Sequence, residues 1–254
     1  MAIHTDVDTA VIGGLGLDLD GLAEIVETPY GKAQLSFTRL KGRRIVFVSR
    51  HGEGHLPPHK VNYRALIWAL RSSGVSRIIS TNSVGGMSHY PPGSFFIPND
   101  FVEFTRSRPN TFFDDRAVHV DMSVPYCPDL RLYLRESLKS MGLDFYEGVY
   151  VCTQGPHLES PAQIRMMRQF GDVVGMTGYP EMVLARELGV CYASLCIVTN
   201  EACGLKSGCL SISEIDERMK ECTETVREVL SATLQRIPQN RTCSCKDACD
   251  QSRL

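Results

Sequence analysis

Residues 151–200, VCTQGPHLESPAQIRMMRQFGDVVGMTGYPEMVLARELGVCYASLCIVTN, decide the fold. A short apolar run, residues 149–152, leads into a Gly-Pro turn at Gly155 and Pro156. Ser160 followed by Pro161 predicts a helix start, because proline costs nothing in the first turn, where its missing N–H would have had no partner. Gly171 ends that helix, and residues 173–176 read as a second strand. MTGYPE turns the chain into another helix over 181–188, Gly189 stops it, and a third strand over 190–199 ends at Asn200. Strand, helix, strand, helix, strand is the signature of an α/β domain, whose ligands gather at the carboxyl ends of strands. Glu159, Met176, Thr177 and Asn200 fall at such ends. Each also has a plainer reading: a loop acid, a helix cap, a turn residue. One after each of three strands makes a shared site the better account.

Outward from this unit, the chain of 254 residues has the length of one α/β domain with a large core. Its 27 basic and 29 acidic residues are spread along the sequence, which argues against nucleic acid or a membrane surface as a partner. No apolar run approaches the ~18 residues of a membrane span. MAIHTDVDTA has neither the basic start nor the apolar core of a signal peptide. A soluble, cytoplasmic protein is expected. Among ten cysteines, Cys152, Cys191 and Cys196 sit in strand-like runs and read as small core hydrophobes. Cys243, Cys245 and Cys249 fall after the last helix, in a tail set at residues 239–254 beyond a domain of residues 1–238. Two zinc half-pairs of suitable spacing are not present, so a disulfide or a loosely ordered tail with free thiols is expected there.

Upstream, residues 9–15 read as a buried strand running into Gly13, Gly14 and Gly16, a turn whose amides could approach an anion. The run is not a dinucleotide fingerprint, since no third glycine and helix follow in place. Strands are predicted over 34–39 and 44–49, the second delivering Arg50 and His51, which suit a phosphate or serve as a surface pair. A helix over 60–73 and a strand over 77–80 follow, leading into a second small-residue turn, TNSVGG, with Asn82 and Ser83. A strand over 95–104, a long polar loop over 105–125 containing His119, and a helix over 128–141 come next. The last helix is predicted over 213–235, capped by Ser213. No Walker lysine motif and no His/carboxylate cluster appears, so neither a triphosphate nor an essential metal is expected. The residues alone point to inorganic phosphate or a small phosphorylated metabolite.

Seven segments in order, IGGLGLD (12–18), SRHGEGH (49–55), PPHKVNYRALIWAL (57–70), TNSVGG (81–86), TQGPHLES (153–160), VGMTGYPEMVLAREL (174–188) and YASLCIVTN (192–200), resemble the trimeric purine nucleoside phosphorylase and methylthioadenosine phosphorylase family. The resemblance covers roughly residues 9–236 and is nearest to bacterial S-methyl-5′-thioinosine phosphorylases. It implies a single α/β domain with a central mixed, twisted sheet flanked by helices. It also implies phosphorolysis of a 6-oxopurine nucleoside, S-methyl-5′-thioinosine foremost, to hypoxanthine and 5-methylthioribose 1-phosphate in purine salvage. Other readings stay open: a general inosine/guanosine or methylthioadenosine phosphorylase, a nucleoside hydrolase, or a weakly active nucleoside-binding protein. Inorganic phosphate is the co-substrate, and no cofactor or metal is expected.

By position in the resemblance, Leu15, Arg50, His51, Asn82, Ser83 and Thr177 surround phosphate. Met176 packs on the ribose, and Leu158, Glu159, Asn200, Glu201 and Ala202 surround the base. His51, Glu159 and Asn200 are the catalytic candidates. Leu15 stands where relatives carry a phosphate-binding Thr or Ser, and Leu158 where they carry a stacking Phe. His119 is expected to reach a neighbour's 5′ pocket in a homotrimer. Ile212 and Ile215, three apart and so on one helical face, are expected to line that pocket and to favour a methylthio group over a hydroxyl.

Overall fold

The structure, a computed structural model, describes residues 7–14, 16–52, 54–206 and 209–249; Leu15 lies outside them. Among these described residues are nine strands: β1 Thr9–Gly13, β2 Leu22–Thr28, β3 Gly31–Leu40, β4 Arg43–Ser49, β5 Arg77–Gly86, β6 Phe95–Phe104, β7 Phe145–Thr153, β8 Val173–Gly175 and β9 Cys191–Glu201. The helices are α1 Tyr63–Ser72, α2 Pro128–Ser140, α3 Pro161–Met167, α4 Gly178–Glu187 and α5 Ile212–Arg236, with short 3₁₀ turns at Pro58–Lys60 and Ser244–Asp247.

The sheet runs β2-β3-β4-β1-β5-β8-β7-β6-β9, and β9 returns to pair with β5. Its pairings are mixed: β1 is parallel to β4 and β5, whereas β5–β8 and β6–β9 are antiparallel. The mixed, helix-flanked sheet is the expected one. Its closure of β5, β8, β7, β6 and β9 into a ring is an addition that no local pattern announces. The central strands are apolar on both faces because both are covered. In β1, Ala10 and Ile12 join the core under α1 and α4, while Val11 between them joins the core under α2 and α5.

Local signals act as physical chemistry requires. Ser160 caps α3 in a full capping box with Gln163, and Pro161 holds its first turn. Asn62 caps α1 by accepting from the Ala65 amide. Three expectations need correction. The edge strand β2 went unseen because its apolar residues do not mark a buried face: Leu22 and Ile25 are 63% and 68% exposed. TNSVGG is not a turn but the second half of β5, where Gly85 and Gly86 let β9 approach. A Cβ at Gly85 would stand 3.3 Å from the Asn200 amide nitrogen. The cap of α5 is Ser211, whose hydroxyl accepts from the Glu214 amide, and not Ser213.

The described part of the tail is folded against the domain. Arg241 donates to the Gly189 carbonyl (2.8 Å), Thr242 to Asp129 (2.7 Å), and Cys245 is buried. All ten cysteines are free thiols. No described helix is long and apolar enough to cross a membrane.

Candidate active site

The strand ends carry two adjoining groups of side chains. The first is built on one hydrogen-bonded chain. Arg50 follows β4 and is buried; its Nε and Nη2 form a fork on Glu181 of α4 at 2.5 and 3.1 Å. Its Nη1 donates to the Thr81 carbonyl (2.9 Å), and Nη2 also donates to Ser80 Oγ (2.6 Å). Four of the five guanidinium N–H groups are thus engaged, leaving one on Nη1. Burial opposes the Arg50 charge, but the Glu181 carboxylate outweighs it and holds the guanidinium above its ordinary pKa.

Ser80 passes the chain to Asn82 Oδ1 (2.9 Å), and Asn82 Nδ2 donates to Thr177 Oγ1 (2.7 Å). Asn82 Oδ1 also accepts from Ser194 (2.5 Å), so its oxygen is spent on aligning its neighbours while Nδ2 keeps one N–H. Thr177 stands at the cap position of α4, yet its side chain makes no cap bond. Since Oγ1 accepts from Asn82, its own O–H remains free to donate. The half-buried Ser83 hydroxyl makes no hydrogen bond to a described residue. His51 Nδ1 lies 2.7 Å from the Leu56 carbonyl, which only accepts, so Nδ1 carries the proton and neutral Nε2 is an acceptor. The Gly14 amide is held by Thr81 Oγ1 (2.9 Å) and is not free for an anion.

Burial lowers the His51 pKa below its ordinary 6.5, and Arg50 adds to the shift. The unfolded chain therefore binds the proton more readily just below that value, and stability falls as pH drops through it. His51→Gln is expected to flatten this fall. The check is thermal unfolding at pH ~7.5 and ~5.5: an equal loss of melting temperature in parent and variant contradicts it.

The second group lines a cavity of about 780 Å³ between β9 and α5, which includes Glu159, Asn200, Glu201 and Ala202. Glu159 is 8% exposed, and its Oε1 accepts from Thr153 Oγ1 (2.5 Å), leaving Oε2 for a ligand. Asn200 is aimed by an irregularity. The β5–β9 register slips between Val84 and Gly85, Val84 facing Val198 but Gly85 facing Asn200, so Thr199 is bulged out. The Asn200 amide accepts from Thr199 Oγ1 (2.7 Å) and donates to the Glu201 carbonyl (2.8 Å), so each end keeps one free position. Met176 packs on the turn at Gly155, where a Cβ would stand 2.5 Å from its sulfur.

Other expected site residues lie elsewhere. Leu158 is half-buried and His119 exposed, and neither lines the cavity. Ile212 is 64% exposed at the first position of α5, and Ile215 does not line the cavity either. They do share a face, but the face turned to the cavity carries Glu214, Glu217, Arg218 and Glu221. Ile212 and Ile215 thus do not border this cavity in this protomer.

A family profile described as the phosphorylase superfamily matches residues 8–235. The chain belongs to the phosphorylase superfamily. Within that superfamily it is 51% identical over 244 residues to a probable S-methyl-5′-thioinosine phosphorylase of Methanosarcina acetivorans, covering 95% of each chain. It is 44% identical over 255 residues to the 6-oxopurine nucleoside phosphorylase of Pyrococcus furiosus, covering 94% of this chain and 96% of that one. Among solved structures it resembles methylthioadenosine phosphorylase from Schistosoma mansoni in complex with adenine. The TM-score is 0.91 at 28% identity, over 97% of this chain and 99% of the other.

Two side chains that hold the site together escaped the sequence reading. Glu181, fully buried, anchors Arg50 and accepts from Tyr192 OH (2.8 Å). Arg108, in the long loop, donates to four carbonyls: Met176 (2.7 Å), Tyr179 (2.8 Å), Thr153 (3.2 Å) and Gln154 (2.6 Å). It clamps the ends of β7 and β8 together, and only the length of the loop hinted at it. Arg108→Ala orphans those carbonyls and is expected to cost at least ~3 kcal/mol and to lower kcat/KM. Chemical denaturation and a steady-state assay check both; a variant as stable as the parent removes the clamp's importance.

Proposed function

We propose that the protein catalyses phosphorolysis of a 6-oxopurine nucleoside, S-methyl-5′-thioinosine being the first to test, with inorganic phosphate as co-substrate. That substrate would give hypoxanthine and 5-methylthioribose 1-phosphate, the work of a pentosyltransferase in purine salvage. The observation that carries the reading is the pairing of buried Glu159 with Asn200 on one cavity wall. Glu159 Oε2 accepts from the N1–H that a 6-oxopurine carries, and Asn200 donates to N7 and meets O6 through its amide. Hydrogen bonds that strengthen as negative charge grows on the departing purine favour the transition state over the bound substrate.

Phosphate is taken by the free donors of the first group: Thr177 O–H, Ser83 O–H and the remaining Arg50 N–H. Neutral His51 Nε2 accepts the proton of hydrogen phosphate, and Met176 faces the ribose. The names of the relatives support the 6-oxopurine preference. A second reading, a phosphorylase of inosine and guanosine, is favoured by the charged α5 face on the cavity, where an apolar 5′ pocket was expected. The experiment is kcat/KM for inosine, guanosine, adenosine and their 5′-methylthio analogues, with and without phosphate. Base release that does not depend on phosphate would replace the phosphorylase by a hydrolase, and no release would leave a binding protein.

A homotrimer is part of this reading, with the loop of His119 reaching a neighbouring site. Phe104 and Val124, near the two ends of that loop, are 37% and 49% exposed, as an interface requires. Sedimentation is expected to give three chains per particle; an active monomer would remove the loop's role in trans. A cytoplasmic location agrees with the free thiols.

A further inference from the structure

The opposite end of β9 carries a second centre. Cys127 caps α2, Cys191 begins β9, and Cys243 and Cys245 come from the tail, and the four sulfurs lie within 4.8 Å of one another. Three of these residues are buried and Cys243 is half-buried. Cys243 Sγ is 3.7 Å from Cys127 Sγ and 3.3 Å from Cys191 Sγ. Sulfurs at the corners of a tetrahedron with metal bonds of ~2.3 Å stand ~3.8 Å apart, whereas a disulfide needs ~2.05 Å. Four thiols converging on one point are weak hydrogen-bond partners for one another. As a ligand set they are complete.

Two further observations favour a thiolate cluster. Arg241 Nη1 lies 3.8 Å from Cys191 Sγ and lines the cleft beside the thiols. Cys127 stands at the N-terminus of a 13-residue helix, whose dipole favours a negative sulfur. Both would offset the two net negative charges of a divalent ion held by four thiolates.

We propose that Cys127, Cys191, Cys243 and Cys245 bind one zinc ion, which fastens the tail to α2 and β9. Four Zn–S bonds form as four thiol protons pass to solvent. With four protein ligands the ion has no open position, so its role is structural. Cys191 and Asn200 lie at opposite ends of an extended strand, nine residues and ~30 Å apart, which keeps the metal out of the reaction. The spacing rule for zinc missed the site because only Cys243 and Cys245 are near in sequence.

The test uses the full chain purified under reducing conditions from zinc-supplemented medium. Elemental analysis is expected to give about one zinc per chain, released when an organomercurial titrates the thiols. Cobalt loaded in its place is expected to show the intense visible bands of a tetrahedral thiolate site. The double variant Cys243→Ser, Cys245→Ser is expected to hold under ~0.1 zinc per chain and to melt at least ~5 °C lower, with turnover at moderate temperature retained. Cys222→Ser, a thiol on α5 outside the cluster, is expected to keep its zinc. The proposal is overturned if the reduced parent binds neither zinc nor cobalt, if its intact mass shows these cysteines already joined as disulfides, or if the double variant keeps its metal.

Discussion

Glu181→Gln is expected to lower the melting temperature by about 6–12 °C and to abolish most phosphate-dependent activity. The pair it breaks is almost wholly sealed, its side chains 1% and 0% exposed. Removing one partner leaves a buried guanidinium uncompensated, at ~3 kcal/mol or more. The same change frees Arg50 to swing, and with it the Ser80–Asn82–Thr177 chain that orients the Thr177 hydroxyl. A second variant separates structure from chemistry. In Arg50→Met with Glu181→Leu, the buried charges vanish together, and about half the lost stability is expected to return. Recovery is partial because the Thr81 carbonyl and the Tyr192 hydroxyl lose a partner. The KM for phosphate is expected to stay at least ~10-fold above the parent, since that depends on the charge itself. A Glu181→Gln protein that melts with the parent would show that the pair is not what holds the phosphate side together.

The base preference is the second large effect. Methylthioinosine is expected to exceed methylthioadenosine in kcat/KM by at least ~10-fold, and on the order of 100-fold. Adenine has no N1–H, so it presents an acceptor to the Glu159 carboxylate and leaves a buried group unpaired at ~1–3 kcal/mol. The Glu159 carboxyl cannot turn away cheaply, because Thr153 holds its other oxygen. Asn200→Asp is expected to shift the ratio toward adenine, since a carboxylate suits a 6-amino donor. Equal efficiency on the two nucleosides in the parent would discard the role given to Glu159.

What the sequence made legible follows from the range of each interaction. Caps and stops are local, so Ser160 with Pro161 and the glycines Gly74, Gly142 and Gly189 after α1, α2 and α4 were readable from neighbours alone, whereas α3 stops at Met167, short of the Gly171 expected to end it. The residues at strand ends were readable too, because Glu159, Thr177 and Asn200 each follow an apolar run. What depends on distant pairing was not. Asn82 looks like a turn residue until β9 is laid beside it, and Arg108 shows its purpose only once β7 and β8 bring four carbonyls together. The face of α5 on the cavity was not legible, because periodicity fixes which residues share a side, and not toward what that side is turned. In the tail, spacing along the chain could not announce that Cys243 and Cys245 meet Cys127 and Cys191 in space.

The ring of strands has a consequence for how the protein is made. β5 ends at Gly86, yet its partner β9 spans Cys191–Glu201, so more than a hundred residues must be synthesised between them. Until then β5 and β6 present open hydrogen-bonding edges rich in apolar side chains, the kind of surface that pairs with other chains. Closure is a long-range event, which slows folding. Asn200 and its bulge sit in the closing strand itself. A nascent chain halted before Cys191 therefore has an unsealed sheet and lacks Asn200, the residue proposed to hold the base, so the proposed base site forms only in a molecule that has already shut its own edges.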